Sequence, residues 1–175
     1  MRTDTKFRLP AGPRSRPAAP GRSWRRALFW AARAGKRLRR GSGSVAVVLD
    51  ETTRKLLDGK NFATVATVNP DGGPQASVVW ILRDGDTVLF SAVASRRKVL
   101  NLTRDPRVSL TVFDLANPYQ SVELRGTAEL TGDPGKSLPR ALSQKYLGED
   151  PTPEPDELAR VIVRVIPERV NAFSA

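Results

Sequence analysis

From Asn61 onward the chain is a succession of short β-rich runs broken by turn signals, and this cadence limits the fold more than any other feature. Phe62 to Val68 ends in Asn69-Pro70-Asp71-Gly72-Gly73, five turn-forming residues in series. Gln75 to Leu82 is closed by Arg83-Asp84-Gly85-Asp86, and Thr87 to Ala92 follows at once. Connections this short favour antiparallel neighbours, so these three runs are expected to form a meander. Val108 to Phe113 and Val122 to Leu130 are two more strands, joined through Ala116-Asn117-Pro118-Tyr119. Arg160 to Ile166 alternates as a strand does, and Val170 to Phe173 adds a short last one.

Helices are few. Asp50 is placed to cap a helix that holds Leu56 and Leu57 inward and stops at Gly59. Val99-Leu100-Asn101-Leu102 gives one or two turns before Pro106, and Pro134 to Leu147 carries apolar residues near helical spacing. The expected class is mainly β, a small β-barrel with peripheral helices.

Charge divides the chain. Residues 1–44 hold 13 basic residues and one acid, Asp4, whereas residues 45–175 hold 16 basic and 17 acidic residues. The basic segment is rich in Arg, Pro, Gly and Ser and cannot bury enough apolar surface to offset ordering, so 1–44 is expected to be a disordered extension. Residues 45–175 are expected to form one near-neutral domain. Trp24, Leu28, Ala31 and Leu38 make a short amphipathic stretch among cations, which leaves a membrane-surface helix or a nucleic-acid arm as alternatives for the extension. A twin-arginine export signal at Arg25-Arg26 fails because Arg33 and Lys36 interrupt the apolar run. No run approaches the roughly 20 apolar residues of a membrane span. No span and no nucleic-acid partner are expected, and the location expected is cytoplasmic.

The chain has no Cys and no His. That excludes disulfides, thiolate and imidazole metal sites, cysteine nucleophiles and every Ser-His-Asp arrangement. No metal site is expected. One constellation stands out against this background: Arg96-Arg97-Lys98, three consecutive cations opening a helix, with Ser95 just before them. A helix start presents free backbone N–H groups and the positive end of a dipole, which suits a phosphate. Guanidinium groups add bidentate contacts and an ammonium adds a point charge. Read on composition alone, the same run is equally a solvated surface patch.

The string from Ser95 through Arg97-Lys98-Val99-Leu100-Asn101-Leu102 to Asp105-Pro106-Arg107-Val108 resembles the flavin-phosphate segment of the pyridoxamine 5′-phosphate oxidase-like superfamily. It is most similar to the branch that uses the deazaflavin coenzyme F420. Ala63-Thr64-Val65 and Asp71-Gly72-Gly73-Pro74-Gln75 resemble the first hairpin of that branch, and Ser77-Val78-Val79-Trp80 its second strand. Asn117-Pro118-Tyr119, Val122-Glu123-Leu124-Arg125-Gly126, Lys145-Tyr146-Leu147-Gly148 and Arg169-Val170 continue the match in order, over about residues 50–175.

The resemblance implies an FMN-binding-like split β-barrel and a homodimer with cofactor sites at the subunit seam. It implies that Arg97 and Lys98 hold the cofactor phosphate, with Ser95 and Arg96 close by. Gln75, Ser77, Val78, Val79 and Trp80 would run along the ring system, with Ser91 on the neighbouring third strand. Tyr119, Gln120 and Ser121 would approach from the partner subunit. The extra carboxy-terminal region that helps FMN-using oxidases bind pyridoxine phosphate is expected to be absent, so oxidation of pyridoxamine phosphate is not expected. F420 is the cofactor the resemblance favours, with FMN the alternative. Arg96, Lys60 and Arg125 are candidates for the acidic tail that F420 adds.

The expected activity is hydride transfer between reduced cofactor and an electron-poor double bond of a small organic substrate. In such reactions the protein positions and tunes while the cofactor carries the chemistry. No catalytic residue is assigned; Tyr119 is one hydroxyl placed to deliver a proton. The alternatives are a non-catalytic module that stores or carries F420, FMN or a related ligand, and an adaptor acting through the basic extension.

Overall fold

A computed structural model of the protein describes residues 47–174. The expectations for the basic segment 1–44 fall outside these residues. Helix α1, Glu51–Asp58, opens where expected: the Asp50 carboxylate accepts from the Thr53 amide at 2.7 Å, and the Gly59 amide closes the last turn on the Lys55 carbonyl. Strands β1 (Ala63–Val68) and β2 (Pro74–Val79) form a hairpin across Asn69–Gly73. Strands β3 (Leu82–Asp84) and β4 (Thr87–Val93) form a second hairpin across Gly85 and Asp86, where Gly85 takes φ 60°. Helix α2 (Arg97–Arg104), strand β5 (Arg107–Phe113), strand β6 (Ser121–Gly132), helix α3 (Ser137–Tyr146) and strand β7 (Arg160–Phe173) follow.

The seven strands form one sheet in the order β2-β1-β5-β6-β7-β4-β3, antiparallel at every pairing. The expected meander is corrected at one place. Gln75 to Leu82 is not a single strand, because the chain bends at Trp80 and Ile81. The half before the bend pairs with β1 and the half after it with β4, so the two ends of the sheet order meet in one bent segment. This is how a sheet curls into a barrel without leaving two long free edges.

Antiparallel partners share a face, so the registers assign the interior. Val65 opposite Leu110, Leu110 opposite Leu124, and Val163 opposite both Leu130 and Phe90 carry the core around the barrel. Leu56 and Leu57 of α1 and Val99 and Leu102 of α2 are buried in this same core. A smaller cluster sits outside the barrel wall, where Leu138 and Leu142 of α3 pack on Leu89, Trp80 and Ile162.

The two last strand runs of the sequence are likewise one strand. Arg125 pairs with Arg169 and Gly126 with Pro167, which leaves Glu168 as the extra residue of a bulge. Pro167, which has no N–H to give, is tolerated at this irregularity. The strands approach so closely here that a Cβ on Gly126 would lie 1.9 Å from the Ile166 carbonyl oxygen. The contact is to backbone, so no side-chain rotation relieves it. Gly126→Ala is therefore expected to cost about 3 kcal/mol in chemical denaturation, the upper range for overpacking; a loss below about 0.5 kcal/mol would contradict the close approach.

Candidate functional site

Helix α2 differs from the other two at its start. The first turn of α1 is capped by Asp50, and the Asp133 carboxylate accepts from the Ser137 and Leu138 amides that open α3. The residue before α2 is Arg96, whose side chain makes no cap. Its carbonyl accepts from the Val99 and Leu100 amides, and the Arg97 and Lys98 amides find no acceptor among the described residues. Donors and dipole are left open at a helix start that carries three consecutive cations.

Those cations are uncompensated. Arg96, Arg97 and Lys98 take part in no ion pair or side-chain hydrogen bond among the described residues, whereas Arg54, Arg83, Arg107, Arg125, Arg160 and Arg164 are all paired with carboxylates. Ser95, Arg96 and Arg97 are exposed, and Lys98 is half-buried. Burial pushes the Lys98 ammonium below its ordinary range, and Arg96 adds to that shift. Four features thus converge: two free amides, a helix dipole, two guanidinium groups and an ammonium held near its neighbours. The set fits an anion carrying several oxygens, and a phosphate meets all four.

Strand β2 leads away along the barrel. Its register puts Gln75 opposite Thr67 and Ser77 opposite Val65, on the interior side, while the Val78 side chain points outward and is largely exposed. Trp80 lies in the bend, against the outer cluster. Ser91 pairs with Ile162 on the outer face of β4 that α3 covers. The sequence-predicted set is therefore divided: Gln75, Ser77 and Val79 face inward, and Val78, Trp80 and Ser91 face outward. Ser91 is also on a strand that pairs with β7 and β3, not with β2. The hydroxyls of Ser77 and Ser91 are both buried and both lack a partner, which leaves two donors open on the two strands.

Tyr119 is exposed in the β5–β6 loop, and Gln120 and Ser121 line a groove of about 220 Å³ with Asp50, Thr53 and Phe173. A larger groove of about 430 Å³ runs over β1, β5, β6 and β7, lined by Thr67, Pro74, Ser109, Arg125, Gly126 and Arg169. Neither groove includes Ser95 to Lys98. Arg125, a sequence candidate for an acidic tail, is engaged by Glu123 at 2.8 Å; this hydrogen bond holds the Glu123 carboxyl down at about 2, with help from Asn171. Lys60 is exposed between α1 and β1.

Sequence reasoning matched Lys145 and Tyr146 to a motif without giving them a task. They clamp the Trp80–Ile81 bend. The Tyr146 ring stacks on Trp80 at 4.9 Å with planes 6° apart, and on Phe62 at 5.7 Å. Its hydroxyl accepts from the Ile81 amide and donates to the Asn61 carbonyl at 2.6 Å. The Lys145 ammonium donates to the Leu57 and Ile81 carbonyls. Burial lowers it to about 8, with Asp58 pulling it back up and Arg83 adding to the fall.

The fold is a split β-barrel, with the open start of α2 on its rim. Comparison with known proteins agrees. The profile of the family described as pyridoxamine 5′-phosphate oxidase matches residues 49–174, and the chain belongs to that family. A solved structure named F420 Reductase is 33% identical with a TM-score of 0.65, covering 70% of this chain and 98% of that one. A conserved hypothetical protein of Mycobacterium tuberculosis, 24% identical with a TM-score of 0.60, covers 77% of this chain and 90% of that one, and supports the fold alone. A pyridoxine/pyridoxamine 5′-phosphate oxidase of Kineococcus radiotolerans is 34% identical over 91 residues, 52% of this chain. The match spans 37% of that relative's length. No helix among the described residues is long and apolar enough to cross a membrane.

The clamp gives a pH prediction. Between about pH 8 and the ordinary lysine value near 10.4, the unfolded chain holds a proton at Lys145 that the folded chain has released, so stability rises with pH in that window. The stability difference between the wild type and Lys145→Met, followed by denaturant titration, should therefore shift in favour of the wild type from pH 8 to pH 10.5. A shift the other way contradicts the burial of a charged Lys145.

Proposed function

We propose that the protein is an oxidoreductase that binds coenzyme F420 by its phosphate at the start of α2 and positions it for hydride transfer with an electron-poor double bond of a small organic substrate. The observation that carries this reading is the uncapped, uncompensated start of α2 in a chain one third identical to a structure named F420 Reductase. FMN offers the same phosphate, and F420 is favoured by that relative.

When bound, the reduced deazaflavin supplies a hydride. The chain supplies binding and orientation. The Arg97 and Lys98 amides with the three cationic side chains take the phosphate oxygens. The unpartnered Ser77 hydroxyl, on the same face of β2 as Gln75, is available as a donor to a polar ring atom, while the Tyr146-backed Trp80 steadies the end of that strand from the outer face. With no His or Cys in the chain, a proton must come from a hydroxyl, a carboxyl or solvent.

Val78, Phe113, Leu115, Tyr119 and Phe173 are exposed apolar side chains, which favours a second copy of the chain as their cover. In that homodimer the partner subunit's Tyr119 would deliver the proton, and Gln120 and Ser121 would complete the pocket. A cytoplasmic location suits a soluble hydride carrier. A carrier role without turnover is the second reading, favoured by a chain with no His and no Cys, which lacks the commonest proton-transfer groups.

Two experiments test this. Fluorescence titration with F420 should show Lys98→Met weakening binding by about tenfold or more, the scale of a charge-assisted contact, whereas Lys55→Met, at an exposed lysine paired with Glu51 on α1, leaves it within about twofold; equal effects would contradict phosphate capture at α2. Reduced F420 offered a panel of activated alkenes should be consumed, and tight binding without turnover on any of them would favour the carrier.

A further inference from the structure

The phosphate-binding helix and the first hairpin are joined by a buried chain of polar groups. Asn101 lies one turn beyond Lys98 and 99% of its surface is buried. Its amide nitrogen donates to the Thr67 hydroxyl and to the Asn69 side-chain oxygen, both at 3.0 Å. The Thr67 hydroxyl, itself buried, donates onward to the Gln75 side-chain oxygen at 2.8 Å, and the Gln75 amide nitrogen ends the chain on the Ala76 carbonyl. Arg104 adds a second tie from the helix end to the Val68 carbonyl at 2.6 Å.

A buried Asn with one fully engaged nitrogen and an unpartnered oxygen is an expensive side chain for a helix that has Val99 and Leu102 to hold it in the core. Packing alone fixes depth, whereas a directional hydrogen bond fixes rotation and slide. Residues three apart share a helix face, so the rotation that seats Asn101 on Thr67 also sets the direction of Lys98.

We infer that Asn101 is a positioning residue: acting through Thr67, it registers the cationic helix against β2, so that Lys98 and the Gln75 carboxamide meet one ligand as a unit. Its part in cofactor binding rests on the function proposed above, whereas the register itself does not.

The test uses the full chain. Asn101→Leu keeps size and removes the donor; Thr67→Val breaks the middle link, and Thr67→Ser retains it. Amide hydrogen exchange without any ligand should show α2 exchanging at least tenfold faster in Asn101→Leu and in Thr67→Val, with β5–β6 unchanged and Thr67→Ser close to wild type. In F420 titrations, Thr67→Val and Gln75→Ala should each weaken binding severalfold, and the double variant should be no weaker than the worse single one. Unaltered α2 exchange in both disrupting variants overturns the register. Multiplicative losses in the double variant, or no rescue by Thr67→Ser, overturn the coupling to Gln75. A wild type that binds no F420 overturns the functional reading and leaves exchange to decide the register alone.

Discussion

The arrangement depends on positive charge held at the start of one short helix without a counterion among the described residues. Three like charges in a row repel each other, and the half-buried Lys98 feels both lost hydration and Arg96. Such a cluster persists only where the surrounding fold overrides the repulsion. Here Val99, the next residue, and Leu102, about a turn beyond it, are buried in the barrel core and pin the helix from below. Among the described residues, α1 and α3 have a carboxylate on the amides of their first turn, and α2 has none. An anion from outside would complete what the chain leaves open, and under the proposed function that anion is the cofactor phosphate.

The barrel holds that helix start in place. Closure runs through the bend at Trp80 and Ile81, where two half-strands serve opposite ends of the sheet. The last turn of α3 locks this bend by stacking, by one shared hydroxyl and by an ammonium on two carbonyls. At the far side Gly126 lets β6 and β7 come within van der Waals contact of backbone on backbone, and Glu168 takes up the extra length. The strand that would flank a cofactor ring is thus fixed at its middle by core packing and at its end by the clamp.

Local signals in the sequence read well. Asp50 as a cap, Asn69–Gly73 as a turn, Gly85–Asp86 as a tight hairpin and the helix opening at Arg97 each follow from residue types within a few positions. The family and the split barrel were legible from the ordered resemblance. What stayed hidden was long-range. Nothing in Ser77-Val78-Val79-Trp80-Ile81-Leu82 announces a bend, because each residue is strand-compatible and closure is a property of the whole sheet. The continuity of β7 through Pro167 was hidden for a related reason, since a proline reads as a break until a bulge opposite Gly126 excuses it. The division of Gln75 and Ser77 from Ser91 follows from that missed bend. The links from Asn101 to Thr67 and from Tyr146 to Asn61 and Ile81 join residues more than thirty positions apart, and a single sequence carries no sign of them.

The central claim is that a phosphate, and not the ring alone, is what the α2 start holds. It is tested most directly by calorimetric titration of the wild type with the deazaflavin 5′-phosphate, which lacks the acidic tail of F420, and with the corresponding riboside, which differs from it only in lacking the phosphate. The account predicts that the riboside binds at least about a hundredfold more weakly, the scale of two charge-assisted contacts. Equal affinity for the two would contradict it.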